Sequence, residues 1–395
     1  MGSEKMYALG SRVNLVICQK SKIQDWLNHF SENYSDAEFE FVINGTLPAS
    51  LEFFIRNPND YKSAVCIINY ELAWRRKELL KLKNFTLMLD ESSLIQNPTA
   101  KQSKFVLKLG ENAANVILLS GTPTSGKYEN LWTQIHLLGW SITRKLYESQ
   151  YVNWETLELG QKFIRIPNRK VPYKNVDRLK RKLRENGACF MKTEECFELP
   201  EQTFVEVKVP QSSEYKRFIR DSIVTLENGV DLVGDTTLTK LLYARQLCGQ
   251  YSKDKLDAFR CLMESTNERL IVFYNFTAEL VELEAIAHSL ERPFSLITGN
   301  CKRLDEYEQE ENSLTFVQYQ AGSMGLNLQK ANKIIYYSLP LRSELFEQSK
   351  KRVHRIGQNK PCFYYIMMCK GSVEEKIYQT LKKREDFTNE LFKDS

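Results

Sequence analysis

Eight short runs of almost unbroken apolar residues constrain this chain more than any other feature. They are Val13 to Cys18, Ser63 to Ile68, Phe85 to Leu89, Val116 to Leu119, Leu270 to Tyr274, Ser313 to Tyr319, Lys333 to Tyr337 and Cys362 to Met368. A strand with one wet face alternates apolar and polar residues, so a strand without alternation is buried on both faces. Such runs separated by helical stretches indicate α/β architecture, a parallel sheet with helices on either side. The runs fall in two clusters, one ending near residue 120 and one starting near residue 270, so two sheets are expected. At 395 residues the chain is long enough for two cores of ordinary size.

Between the clusters, from Trp140 to Lys255, strand signals are sparse and amphipathic helical patterning dominates. The expected division is therefore a first lobe over 1–140, helical and partly basic insertions over 141–250, a second lobe over 251–370 and a C-terminal helix over 371–395. Residues 165–192 hold ten Lys or Arg against Asp177 and Glu185, with Val176, Leu179 and Leu183 on one helical face. That pattern fits a solvated helix or a phosphate-binding surface. Ser372 is placed as the N-cap of the last helix, with Glu375 completing a capping box.

The net charge of +5 permits a polyanionic partner without demanding one. Nine cysteines lie scattered with no Cys-x-x-Cys pair, and the four histidines lack metal-ligand spacing, so neither a disulfide framework nor a zinc site is expected. No apolar stretch approaches the length of a membrane span, and the N-terminus lacks a signal peptide's apolar core. A soluble protein in the reducing cytoplasm, with no membrane partner, is the expectation.

Three stretches carry chemistry. Thr86 to Glu91 is an apolar strand ending in Asp90 and Glu91, where open parallel sheets place ligands. An Asp there can hold Mg²⁺ and the adjacent Glu can polarise water. Val116 to Thr124 is a strand running into the hydroxyl-rich turn Ser120, Gly121, Thr122, Pro123. Gln348, Arg352, Arg355 and Gln358 follow far downstream, the two arginines one turn apart on an expected basic helix. Arginines of this kind stabilise charge on a transferred phosphoryl group when another domain holds the nucleotide.

In this order the stretches resemble the motifs of the Swi/Snf-type ATPases of helicase superfamily two. Asp90 to Pro98 resembles their DExx box, Leu118 to Thr124 their motif III, and Gln348 to Gln358 their motif VI. Cys18 to Ser21 with Trp26 resembles motif Ia, Ile68 to Glu71 motif Ib, Ile271 to Phe276 motif IV, and Gln320 to Leu328 motif V. Leu242 to Gln246 is similar to a helix of the family's second domain. The resemblance covers the chain from Val13 onward.

It implies two RecA-like lobes with ATP and Mg²⁺ between them and DNA lying across both. Asp90 would hold the metal and Glu91 position the hydrolytic water. Arg352 and Arg355, with Gln348, would act from the second lobe, 352 − 90 = 262 residues after Asp90. Ser120, Gly121 and Thr122 would couple nucleotide state to closure. Lys20, Ser21, Asn69, Gly322 and Asn327 would track the phosphate backbone of duplex DNA without reading bases. Gly2, Lys5 and Gly325 would contact ATP. A monomer is expected, with room for a protein partner, and the compact chain is similar to bacterial or phage members.

One motif departs from the pattern. A motor of this type carries Gly-x-Gly-Lys-Thr, and here Met1 to Met6 aligns Lys5 with the lysine, Glu4 with the last glycine and Met6 with the metal-binding hydroxyl. A carboxylate beside the phosphates repels them, and a thioether is a poor Mg²⁺ ligand. The strand and adenine-reading segment expected before it are not in the sequence. The chain therefore reads as an ATP-dependent DNA translocase, or alternatively as a degenerate or truncated relative that binds DNA or a protein without turnover.

Overall fold

The computed structural model describes residues 1–56, 60–159, 162–189, 197–322 and 327–392. They form two compact units, Met1–Phe190 with Asp386–Ser395, and Met191–Glu385.

The first unit is built on strands β1 (Val13–Cys18), β2 (Phe41–Asn44), β3 (Ala64–Asn69), β4 (Phe85–Leu89) and β5 (Ala113–Leu118). All pair in parallel, in the order β2-β3-β1-β4-β5. Every residue of β1, β3 and β4 is buried, which is why their sequences do not alternate. Leu15, Ile17, Cys66, Ile68, Leu87 and Leu89 pack with Leu51, Phe54, Val106 and Leu109 of helices Pro48–Arg56 and Lys101–Gly110. Val16, Cys18, Val65, Ile67 and Met88 pack on the opposite face with Met6, Ile23 and Phe30 of helices Gly2–Leu9 and Ile23–Asn33.

Beyond this sheet lie an antiparallel hairpin, β6 (Trp154–Leu159) with β7 (Lys162–Pro167), and the basic helix Val176–Glu185. Leu179 and Leu183 of that helix are buried with Tyr128, Tyr147 and Tyr151, which leaves its charges outward. The second unit opens with β8 (Gln202–Val209) and a small hairpin, β9 (Ile223–Thr225) with β10 (Asp231–Val233). These five strands lie where the sequence showed few strand signals. The cause is burial: β8 is an edge strand that alternates, with Phe204, Glu206 and Lys208 exposed, so it has no continuous apolar run.

The second sheet adds β11 (Leu270–Tyr274), β12 (Phe294–Ile297), β13 (Lys302–Arg303), β14 (Leu314–Gln318), β15 (Lys333–Tyr336) and β16 (Cys362–Cys369). Its order is β13-β12-β14-β11-β15-β16-β8, parallel throughout except for β13. Alternate residues again divide between two helical layers. Ile271, Phe273, Ile334 and Tyr336 pack against Phe346, Ile377, Tyr378 and Leu381; Val272, Phe316 and Met367 pack against Phe259, Met263 and Leu283.

The last helix, Val373–Phe392, starts as expected with Ser372 accepting the Glu374 N–H at 3.1 Å. Glu375 reaches one residue further than a capping box requires and accepts the Gly371 N–H at 3.0 Å. Among the described residues no helix is long and apolar enough to cross a membrane.

Candidate functional site

The carboxyl ends of β1, β3, β4 and β5 share one edge of the first sheet because the strands are parallel, and the side chains that follow them meet there. The Asp90 N–H donates to the Ile17 carbonyl at 2.9 Å, extending the ladder one residue past β4. Glu91 then takes a left-handed backbone, φ 53°, which turns the chain out of the strand into the short helical turn Ser92–Ile95. A non-glycine residue held there costs about 1–3 kcal/mol, and such strain collects at working sites.

Each acid is held by side chains from other segments. Asp90 Oδ2 accepts the Trp26 indole N–H at 2.9 Å, and the Tyr70 hydroxyl donates to the Asp90 carbonyl at 3.0 Å. Glu91 Oε1 accepts the hydroxyls of Ser93 at 3.0 Å and Ser120 at 3.2 Å, and Ser120 Oγ in turn accepts the Thr122 N–H at 3.2 Å. The acidic turn and the Ser120–Pro123 turn are thus one connected network. Burial, with the Asp90 carboxylate beside it, pushes the Cys18 thiol up to about 12. The Tyr70 hydroxyl is likewise raised, by burial and then by Asp90 and Glu91, so both groups stay protonated and neutral beside the two acids.

Three polar residues that the sequence did not single out as partners complete the network. Gln134 accepts the Ser92 hydroxyl at 2.9 Å and donates to the Pro123 carbonyl at 2.7 Å. Gln96 donates to the same carbonyl at 3.1 Å and accepts from Asn130 at 3.1 Å. Gly121 lies between these anchors, in the turn.

The remaining first-unit residues are placed as follows. Lys20 and Ser21 are exposed in the turn Lys20–Lys22 directly after β1. Asn69, at the end of β3, is buried and donates its amide to Glu71 at 2.7 Å. Gly2 opens helix Gly2–Leu9, where an added Cβ would come within 2.7 Å of Leu119, so glycine permits close helix-to-sheet approach. Lys5 is exposed on that helix. Glu4 accepts the Tyr34 hydroxyl at 2.7 Å, and Met6 is packed in the apolar layer beneath the sheet.

In the second unit Gln348 lies half-buried on helix Ser343–Lys350. The expected continuation of that helix through the arginines is corrected here: it ends at Lys350, and Arg352 and Arg355 sit in the turns that follow. His354 donates from Nε2 to the Pro200 carbonyl at 2.9 Å, and Gln358 donates to the carbonyls of Gln329 at 3.0 Å and Ala331 at 2.9 Å. Gly357, φ 96°, supplies the left-handed turn between them. The Leu328 N–H donates to the Arg352 carbonyl at 3.2 Å, which joins this loop to the segment holding exposed Asn327. Gly322 ends the helix Tyr319–Gly322, and Gly325 lies outside the described residues.

As for a metal, the donor set is mixed. Asp90 offers hard carboxylate oxygen at a strand end, as Mg²⁺ requires, and fits. Met6 does not, because its thioether is buried among Val16, Ile23 and Phe30.

The described SNF2-related domain matches residues 4–252, and the helicase conserved C-terminal domain matches residues 254–357. The chain belongs to the SNF2-related family of helicase-like ATPases. Its two parallel sheets are the family's two RecA-like lobes. Similar proteins include the human SWI/SNF-related matrix-associated actin-dependent regulator of chromatin subfamily A member 1, 22% identical over 415 residues, 93% of this chain and 37% of that one. YwqA of Bacillus subtilis is 22% identical over 416 residues, 96% of this chain and 43% of its own. The SNF2-related chain thus spans less than half the length of either relative. The Sulfolobus solfataricus SWI2/SNF2 ATPase core in complex with dsDNA aligns over 99% of this chain and 84% of its own, with 18% identity and a TM-score of 0.43.

Proposed function

We propose that this SNF2-related chain is an ATP-dependent translocase on duplex DNA that reads backbone rather than sequence. The observation that carries the reading is the Ser120–Glu91 hydrogen bond at 3.2 Å: the acid suited to polarise water is tied directly to the turn suited to report nucleotide state. Asp90 would hold Mg²⁺, which supplies charge neutralisation at the phosphates. Glu91 would position the attacking water, and Lys5, Gln348, Arg352 and Arg355 are assigned to the phosphoryl group. Gly2 and Gly325 are assigned to nucleotide contact, and Gly121 and Thr122 to coupling with Ser120. Lys20, Ser21, Asn69, Gly322 and Asn327 are assigned to the DNA backbone, joined by the outward charges of helix Val176–Glu185. Each phosphate neutralised releases counterions, so DNA affinity should fall steeply with salt.

The deciding experiment is ATP hydrolysis by the purified chain with and without duplex DNA. Hydrolysis stimulated by duplex is expected, and its absence at saturating DNA, ATP and Mg²⁺ rejects a motor. A second reading rests on the buried Met6 and on Glu4 held by Tyr34: a relative that binds DNA without turnover. It requires that the unmodified chain bind no ATP and that Glu4→Gly, Met6→Thr create binding.

Trp26→Phe tests how Asp90 is oriented. Removing the indole N–H frees the carboxylate to rotate, and groups that orient metal ligands contribute about 10–100-fold to metal affinity. The Mg²⁺ concentration for half-maximal hydrolysis should rise by about that factor, and Mn²⁺ binding followed by electron paramagnetic resonance should weaken in parallel. Unchanged Mn²⁺ affinity would show that the Trp26 contact is only packing.

A further inference from the structure

We infer that the second unit carries a docking cleft for an acidic, amphipathic segment of a protein partner, an inference independent of the ATPase reading. A cleft of about 680 Å³ opens among helix Ser213–Asp221, helix Thr237–Cys248 and the start of helix Val373–Phe392. That volume lies within the roughly 300–1,000 Å³ of sites that enclose a small ligand, enough for a few side chains.

Two features of the cleft have to be satisfied together. The first is charge. Lys216, Lys240 and Lys376 line it, and the one carboxylate among its described lining residues, Asp235, already accepts the Thr239 hydroxyl at 2.7 Å. Lys240 donates to Ser222 Oγ at 2.8 Å, whereas the ammonium groups of exposed Lys216 and Lys376 have no hydrogen bond or ion pair among the described residues. Ammonium groups gathered around one cleft repel each other and are stabilised by an incoming anion.

The second feature is apolar surface. Ile219, Leu241 and Val373 line the same cleft. Ile219 is 41% exposed, so this apolar lining is open to solvent. Clustered aliphatic surface rimmed by polar groups marks an interaction site. A nucleic-acid backbone would neutralise the lysines but leave Ile219, Leu241 and Val373 wet. A segment with carboxylates flanking leucine-like anchors at i, i+3, i+4 and i+7 satisfies both features, the mode in which amphipathic helices fill grooves.

The probe is a fluorescein-labelled helix-forming peptide with Leu at those spacings and Glu elsewhere, titrated with the full chain and followed by anisotropy. Binding is expected, with a loss of tenfold or more in Lys216→Glu, Lys376→Glu, since like charges juxtaposed in an interface are strongly unfavourable. Ile219→Asp, at an exposed lining residue, should weaken it as well, and the peptide with Lys in place of Glu should not bind. Photocrosslinking of the peptide to the unmodified chain should place it within residues 211–244 or 371–376, a readout that no variant's folding can disturb. Attachment elsewhere, no binding, or affinity unchanged in both variants overturns the inference. So does displacement by duplex DNA accompanied by an equal loss of duplex affinity in the lysine variant, which would make the face a nucleic-acid surface.

Discussion

Glu91→Gln is expected to lower duplex-stimulated ATP hydrolysis by about 10²–10⁴-fold, the range a positioned acid or base contributes. The substitution is chosen because it is nearly isosteric. A glutamine Oε1 still accepts the hydroxyls of Ser93 and Ser120, which lie 3.0 and 3.2 Å from Glu91 Oε1, so the network between the acidic turn and the Ser120–Pro123 turn should persist. Only the charge that polarises water is removed. ATP and DNA affinities should therefore stay close to those of the unmodified chain, and the defect should fall on the single-turnover rate of phosphate release. Ser120→Ala makes the complementary change: Glu91 keeps its charge and its Ser93 contact but loses the link to the second turn. Its defect should be smaller at the chemical step and larger in the stimulation by DNA. A Glu91→Gln protein that hydrolyses ATP at the unmodified rate would remove Glu91 from the reaction and the proposed function with it.

How far the sequence anticipates this arrangement depends on the range of the forces involved. Strands β1, β3, β4 and β11 are buried on both faces, and that burial is written locally as an unbroken apolar run. Strands β2, β8 and β12 leave no such record. Phe41 of β2 is exposed, β8 alternates, and β12 is only half-buried, so none stood out. Asp90, Glu91 and Ser120 were legible because chemistry and strand position coincide in one short stretch. Trp26 was legible only as part of a motif; its contact with Asp90 spans 64 residues, and the Ser92–Gln134 bond spans 42, so both require the folded sheet. The arginine loop shows the opposite error. Arg352 and Arg355 have helical spacing, yet His354 and Gln358 bond to carbonyls outside the helix and, with Gly357, pull the chain into turns. Spacing reports what a segment would do alone, and these long-range bonds outweigh it.

The largest stability loss should follow from Lys255→Met or Glu374→Gln. Lys255, on helix Lys253–Glu264, meets Glu374 at 2.6 Å, and the two side chains are 0% and 3% exposed. The second Glu374 oxygen accepts the Cys369 N–H at 3.0 Å, and the ammonium lies 5.0 Å from the centre of the Tyr337 ring. Burial raises the Glu374 carboxyl above its ordinary range; burial also opposes the Lys255 charge, but Glu374 outweighs it and holds the ammonium above its own. The short contact and the Cys369 N–H favour the charged pair. Removing one partner leaves a buried charge uncompensated, at a cost of about 3–5 kcal/mol. For a unit of this size each kcal/mol moves the midpoint about 2–4 °C, so either single variant should melt roughly 6–20 °C lower. The double variant should recover much of that, because neither charge is then stranded. Exposed ion pairs are screened by salt and this one is not, so the loss should be the same at low and high ionic strength. The sign with pH follows from Lys255: a raised folded pKa gives stability that is complete below the unfolded value near 10.4 and is lost only as pH rises through the folded value. In Lys255→Met the Glu374 carboxyl, already raised by burial, loses the cation that holds it down and is raised further, so the cost of this variant should shrink at acid pH, where the carboxyl takes a proton. A single variant that melts with the unmodified chain, or a double variant that falls by the sum of the two, would show that the contact does not bind Val373–Phe392 to the second sheet.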